Sequence, residues 1–170
     1  MNQHTAYPVF LTISHPQPKP SGIQLKRFEP NATCDQRWFT FGSLQLRTPR
    51  AVSTTRLVGT VELRQNLGRN VTIVSKLRRA GSFVFSLEKM DACSFVASQY
   101  KSWSLRLQPL RGGCPIQRGR YNVLNLTIAE KMFDMNGEYR LEVNVIRNNV
   151  DLCGAVVHFS VHNSDSNTLS

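Results

Sequence analysis

Apolar and polar residues alternate over most of the chain between residues 23 and 161, with the period of two that half-buried β-strands show. The clearest case is 138–145, where Tyr139, Leu141, Val143 and Val145 form the apolar set. Similar short runs lie at 23–28, 44–47, 57–63, 71–77, 83–87, 121–128 and 153–161. Glycines and polar turns separate these runs, so the pattern predicts a mostly β domain built as a sandwich or barrel.

One segment departs from this period. Its apolar and small residues recur at intervals of three and four, at Cys93, Val96, Ala97, Tyr100, Ser104 and Leu107. Asp91 is a suitable N-cap before the segment, and Pro109 is a stop signal after it. We therefore predict one short helix over about 92–107, packed on a sheet through its apolar stripe.

The proline distribution divides the chain. Four of its eight prolines fall within residues 1–21, which we interpret as a leader or linker with a truncated signal region, because no positive charge precedes its short apolar stretch. Residues 22–162 form a single predicted domain, and 163–170 a flexible tail. No run of about 18 apolar residues occurs, so the sequence predicts no membrane-spanning helix.

Four cysteines and three glycosylation sequons indicate the secretory route. The cysteines are even in number, widely spaced and without a Cys-x-x-Cys pair, which argues against zinc and against a redox motif. The sequons begin at Asn31, Asn70 and Asn125. Because that route is oxidising, we expect two disulfides, for which spacing alone leaves three pairings open. The expected location is extracellular, with the lysosomal lumen as the alternative.

The net charge of +10 has two interpretations. It favours binding to an anionic partner such as an acidic membrane surface, or it is simply the basic surface of a soluble protein without such a partner. The basic residues form separate small groups, among them Arg47 with Arg50 and Arg118 with Arg120. Neither a continuous basic arm nor a basic stripe with interleaved aromatics is present, so nucleic-acid binding is not predicted.

The motifs of catalysis and of cofactor binding are missing from the sequence. There is no Gly-x-Ser-x-Gly and no Walker loop. Glu138 and Glu142 are four residues apart on a predicted strand, roughly 13 Å, and alternate with Arg140, which suits a solvated charge ladder. His158 and His162 have no cysteine or carboxylate at ligand spacing. We predict no enzymatic activity, no metal and no cofactor.

Aromatic and methionine residues concentrate between the central strands and the last hairpin. They have two interpretations: an ordinary packed core, or the lining of a cavity for an apolar ligand. The cavity candidates are Phe83, Phe85, Leu87, Phe95, Val96, Trp103, Leu107, Met132, Phe133, Met135, Tyr139 and Leu141.

Three stretches carry a resemblance to a known family. They are 114–122 (CPIQRGRYN), 137–142 (GEYRLE) and 152–156 (LCGAV), and they resemble the ganglioside activator proteins of the ML lipid-recognition superfamily. The helix entry at Asp91–Cys93, with Cys114-Pro115 about twenty residues later, resembles even more an arthropod family of small secreted domains that includes the CheB-type chemosensory proteins.

The resemblance implies an immunoglobulin-like β-sandwich or β-cup with an apolar interior. It also implies the pairings Cys34–Cys153 and Cys93–Cys114. The ganglioside activators have further cysteines and a loop between them that this chain lacks, so their headgroup-binding residues have no counterpart here. Lipid binding follows from fold relatives and is an expectation by analogy.

Two functions therefore remain as hypotheses. The first is a secreted or lysosomal, non-enzymatic carrier for a lipid or other small hydrophobic molecule held in the sandwich interior, acting as a monomer. The second is a secreted interaction or chemosensory module with a packed core, which binds a receptor protein through its surface.

Overall fold

A computed structural model describes residues 22–31, 34–48, 55–82, 84–97, 103–109, 113–129, 133 and 135–162. The predicted leader, the predicted tail, Phe83 and Met132 lie outside these residues. The described elements are, in chain order, β1 (Gly22–Pro30), β2 (Phe39–Phe41), β3 (Gln45–Arg47), β4 (Arg56–Leu63), β5 (Val71–Arg79), β6 (Val84–Asp91), α1 (Ala92–Ala97), β7 (Trp103–Gln108), β8 (Gly119–Ile128), β9 (Gly137–Arg147) and β10 (Val150–His162).

The strands form two antiparallel sheets that face each other. Sheet A has the strand order β1-β10-β9-β5-β6, and sheet B has the order β2-β4-β8-β7, with β3 also pairing with β4. The buried apolar residues of both sheets belong to one core cluster, which lies between them. The prediction of a mostly β sandwich with one short helix is thereby confirmed.

The alternation seen in the sequence orients the strands on this core. On β9, Tyr139 is 5% and Leu141 is 1% exposed. Glu138, which precedes Tyr139, and Arg140, which lies between the two, are exposed. Leu141 lies opposite Leu77 of β5 on one side and Val157 of β10 on the other. A row of three apolar side chains therefore crosses the middle of sheet A, as expected where one face of a sheet is buried.

Strand β8 carries an irregularity that its sequence conceals. Val123 and Leu126 are both buried although they are three residues apart, and Leu124 between them is 36% exposed. The register with β7 shifts at this point, since Arg106 pairs with Asn125 and Leu107 with Val123. The extra residue is a β-bulge, which returns the apolar side chains to the inner face after the interruption.

The helix is shorter than predicted. It begins at Ala92, as expected from the Asp91 cap, but it ends at Ala97, and Trp103–Gln108 is strand β7. The prediction over about 92–107 was wrong for 103–107, because Trp103, Leu105 and Leu107 also fit a period of two and pair with β8. Residues 98–102 lie outside the described residues. Among the described residues, no helix is long and apolar enough to cross a membrane.

Two disulfides connect distant parts of the fold. The strand disulfide, Cys34–Cys153, joins the segment after β1 to β10 across 119 positions of sequence, with Cα atoms 4.1 Å apart. The helix disulfide, Cys93–Cys114, joins α1 to the segment before β8 across 21 positions, with Cα atoms 5.4 Å apart. These are the pairings that the family resemblance implied, and both reduce the conformational freedom of the unfolded chain.

Candidate functional site

A cavity of about 280 Å³ lies between the two sheets. Both inner faces line it, together with α1 and the bridge between Leu67 and Ile116. The lining from sheet A consists of Phe28, Ile73, Leu141, Val143, Val145, Cys153, Gly154, Ala155 and Val157. The lining from sheet B and its connections consists of Phe39, Phe41, Leu44, Leu57, Val61, Leu63, Trp103, Ser104, Leu105, Leu107, Val123 and Leu126. The space is therefore bounded almost wholly by hydrocarbon.

Small side chains in the centre of sheet A leave room for this cavity. Val143 of β9 lies opposite Ala155 of β10 and Ser75 of β5, so three short side chains form one row across the three central strands. Val143 and Ala155 both line the cavity and are only half-buried, although they are on the inner face of the sheet. In a solid sandwich core such positions are fully enclosed, because facing side chains interdigitate.

A glycine in sheet B brings another lining residue into place. Gly59 has φ +143°, and a Cβ at this position would come within 2.7 Å of Leu44 Cα and 2.5 Å of Ser43 O. Only glycine therefore permits the segment between β2 and β3 to approach β4 this closely. This approach directs Leu44 into the cavity lining, next to the β4 residues Leu57 and Val61.

Helix α1 and strand β7 line one part of the cavity. The rings of Phe95 and Trp103 contact each other, with centroids 5.0 Å apart and planes at 43°. The indole N–H of Trp103 is buried and has no acceptor within the described part of the chain. Ser104 is the one described lining residue with a hydroxyl group. The lining therefore offers little to a charged group.

Asp91 fixes the start of α1. Its carboxylate accepts hydrogen bonds from Ser94 Oγ at 2.6 Å and from Ser94 N at 2.9 Å. These bonds, the side-chain one first, hold the pKa of Asp91 below its ordinary value. The cap and the helix disulfide together orient the first turn of α1, which carries Phe95 and Val96 into the lining.

The structure separates the predicted cavity residues into two groups. Phe95, Val96, Trp103, Leu107 and Leu141 line the cavity. The others do not appear in its described lining, which is made largely of residues that the sequence did not single out, such as Phe28, Phe41 and Val143. Most of these additional lining residues occupy inner positions of alternating strands, which the sequence does indicate. The sequence does not show which of the inner positions surround open space.

Phe133 and Tyr139 instead pack at one end of the sandwich. Phe133 is 4% exposed, and its ring lies 4.7 Å from that of Tyr139 and 5.6 Å from that of Phe159. The Tyr139 hydroxyl donates a hydrogen bond of 2.8 Å to the carbonyl oxygen of Met135. These aromatic side chains are buried against one another in this part of the interior.

The remaining candidates lie elsewhere. Leu87 is 63% and Met135 is 55% exposed. Leu87 lies opposite Lys76 on the outer face of sheet A. Phe85 is in β6, but its side chain is not among those the structure describes, and Phe83 and Met132 lie outside the described residues.

The ionisable residues considered earlier are on outer surfaces. Glu142 Oε1 forms ion pairs with Arg78 Nε at 3.4 Å and with Arg140 Nε at 3.2 Å. These three side chains form a charge ladder on the outer face of sheet A. His158 Nε2 lies 3.1 Å from Glu29 Oε2. Within the described ranges, no three His, Cys, Asp or Glu side chains come together as metal ligands.

The asparagines of all three sequons are described, and they differ in exposure. Asn70 is exposed in the turn that precedes β5. Asn125 is half-buried on β8, opposite Arg106. Asn31 is exposed after β1, although residues 32 and 33 of its sequon lie outside the described residues.

Neither the models of known protein families nor the curated proteins searched contain a match to this chain.

Proposed function

We propose that this protein is a secreted, non-enzymatic binding or carrier protein for a small hydrophobic molecule or lipid, which it holds between its two sheets. The observation that carries the proposal is the apolar cavity of about 280 Å³ around Val143 and Ala155. The two disulfides and the exposed sequon at Asn70 support an extracellular or lysosomal location.

The affinity follows from the size of the cavity. A methylene group fills roughly the volume of one water molecule in the liquid, about 30 Å³, so the cavity takes about nine such groups. Burial of each methylene contributes about 0.8 kcal/mol, which gives about 7 kcal/mol in total. A dissociation constant of several micromolar is therefore within reach without any polar recognition.

The basic surface supports a role at anionic membranes. Arg47 of β3 lies directly opposite Arg56 of β4, and both side chains are exposed. Like charges at opposite positions of two strands repel each other, and an anionic surface would relieve that repulsion. We propose that such surfaces, rather than nucleic acid, attract the protein while it takes up or delivers its ligand, and that it acts as a monomer.

Native mass spectrometry of the protein secreted from eukaryotic cells tests the proposal, followed by organic extraction and lipid analysis. We expect a discrete hydrophobic molecule bound at about one per chain. The Val143→Phe variant, whose ring takes up part of the cavity, should bind this molecule more weakly, whereas Val156→Phe on the outer face of sheet A should bind it as the parent does. A protein that is free of ligand, and stays so after incubation with fatty acids, phospholipids and glycolipids, overturns the carrier function in favour of a surface interaction module.

A further inference from the structure

The indole N–H of Trp103 is a polar group of the cavity lining that has no partner in the described protein. Trp103 borders the cavity and is 6% exposed. Its N–H is buried without an acceptor in the part of the chain that the structure describes. Buried polar groups in proteins are hydrogen-bonded in the large majority of cases, so each exception needs an explanation.

Four other buried polar atoms also lack a partner among the described residues. They belong to Thr40, Arg78, Arg147 and Ser160, and none of these residues is part of the described lining. Within the described ranges, Trp103 alone combines an unpaired buried donor with a place in the cavity wall. A ligand in the cavity can therefore supply the acceptor that the protein does not.

The neighbours of Trp103 keep its ring at the wall of the cavity. Its backbone pairs with Ile128 of β8, and its ring contacts that of Phe95, with centroids 5.0 Å apart. Phe95 also belongs to the lining. The N–H itself is covered, so an acceptor meets it after a small rotation of the indole, and the cavity provides the space for this rotation.

The rest of the lining restricts the chemistry of that acceptor. An indole N–H can only donate, and no charged side chain belongs to the described lining. Burying an ionised carboxylate or phosphate there carries a large desolvation penalty without an ion pair to offset it. A hydroxyl group can accept from the N–H, but it brings a donor of its own that needs a further partner. An oxygen that only accepts, as in a ketone, an ester or an ether, fits these surroundings best.

We infer that the ligand is a neutral hydrophobic molecule with a carbonyl or ether oxygen, and that this oxygen accepts a hydrogen bond from Nε1 of Trp103. This inference rests on the proposed function and narrows its ligand class. Trp103 is then a specificity-determining residue, because it distinguishes such molecules from pure hydrocarbons of the same shape.

Two ligands of nearly equal shape test the inference. Heptan-2-one has a carbonyl oxygen, and 2-methylhept-1-ene has a methylene group in the place of that oxygen. Titration calorimetry of the delipidated protein gives the dissociation constant of each ligand, and the ratio of the two constants is the quantity to follow.

Trp103→Phe removes the N–H and keeps an aromatic ring. We expect it to weaken the binding of heptan-2-one about fivefold more than that of the alkene, a factor that corresponds to one hydrogen bond to a neutral acceptor. The smaller ring changes the shape of the cavity for both ligands, and this effect cancels in the ratio. Trp38→Phe is the matched control, because Trp38 packs under Arg147 outside the described lining, and it should leave the ratio unchanged.

A measurement on the unmodified sequence keeps the test valid should a variant not fold. The chain has two tryptophans, Trp38 and Trp103, so the nitrogen-15-labelled protein gives two indole N–H proton signals by NMR. We expect one of these signals to move downfield when heptan-2-one binds and to move much less with the alkene, because a new hydrogen bond deshields the proton.

Two results would overturn the inference while leaving the carrier function intact. One is an equal effect of Trp103→Phe on the affinities for the two ligands. The other is a pair of indole signals that respond alike to the ketone and to the alkene. A complete lack of binding of both ligands is a different outcome, since it overturns the proposed function together with the role of Trp103.

Discussion

Replacing Val143 by phenylalanine tests the open interior through the sign of a stability change. Val143 lies between Ala155 and Ser75 on the inner face of sheet A and borders the cavity. In a solid core, a larger side chain forces its neighbours apart and destabilises the protein by about 1–3 kcal/mol. In an open cavity, the added ring fills empty space and stabilises it.

The size of the gain follows from the added carbon atoms. Phenylalanine has about four more side-chain carbons than valine, and their burial contributes up to about 3 kcal/mol. Ordering of the ring and imperfect contacts reduce this gain by about 1–2 kcal/mol. We therefore expect the free energy of unfolding of Val143→Phe to increase by about 1–2 kcal/mol, a change that the strand itself favours because phenylalanine suits β-strands.

Urea unfolding of the delipidated protein measures this change, since bound ligand would stabilise the parent by mass action. With a slope of about 2 kcal/mol per molar urea, the midpoint should rise by about 0.5–1 M at constant slope. Val156→Phe is the control, because Val156 is half-buried on the opposite face, and its effect should stay within about 0.5 kcal/mol. A midpoint that falls for Val143→Phe refutes the open interior.

Three further predictions concern the disulfides, the helix cap and the glycans. Replacing both cysteines of the strand disulfide by alanine should lower the free energy of unfolding by about 5 kcal/mol, because this disulfide closes a loop of 119 positions. The same change in the helix disulfide, which closes a loop of 21 positions, should lower it by about 3 kcal/mol. Urea unfolding of the two variants tests this order. The pKa of Asp91 is lowered in the folded state, so its ionised carboxylate stabilises the fold. This contribution is fully present above the ordinary pKa near 4 and is lost as the pH falls through the lowered value. Asp91→Asn should therefore weaken the loss of stability between pH 5 and pH 2, and identical acid profiles would contradict this cause. Asn70→Gln should reduce the mass of the secreted protein by one glycan, which deglycosylation followed by mass spectrometry detects.

The sequence was sufficient for the elements whose apolar pattern is regular. The alternation of Tyr139 and Leu141 with Glu138 and Arg140 indicated both the strand and its inner face. It was insufficient for β7, because Leu107 fits a helical spacing and an alternating one equally well. The pairing with β8 decides between them, and pairing is a tertiary interaction that local propensity does not specify.

The sequence indicated only part of the cavity lining, for a related reason. Among the large aromatic candidates, Phe95 and Trp103 line the cavity, whereas Phe133 packs against Tyr139 and Phe159. The open space borders the short side chains of Val143 and Ala155, and Ser75 lies in the same row. These three residues become neighbours only through the registers of β5, β9 and β10. A shift of one residue in either register would place different side chains in this row.

The shared row leads to a final prediction, which concerns the coupling between two of its members. Ala155→Leu alone should be neutral or stabilising, because Ala155 also borders the cavity. Combined with Val143→Phe, it should give a gain smaller than the sum of the single effects by at least about 0.5 kcal/mol, since neighbouring side chains compete for one space. A double-mutant cycle measured by urea unfolding gives this coupling, with Val156→Phe replacing Val143→Phe in the control cycle. Additive effects in the first cycle would mean that the two side chains do not share a cavity.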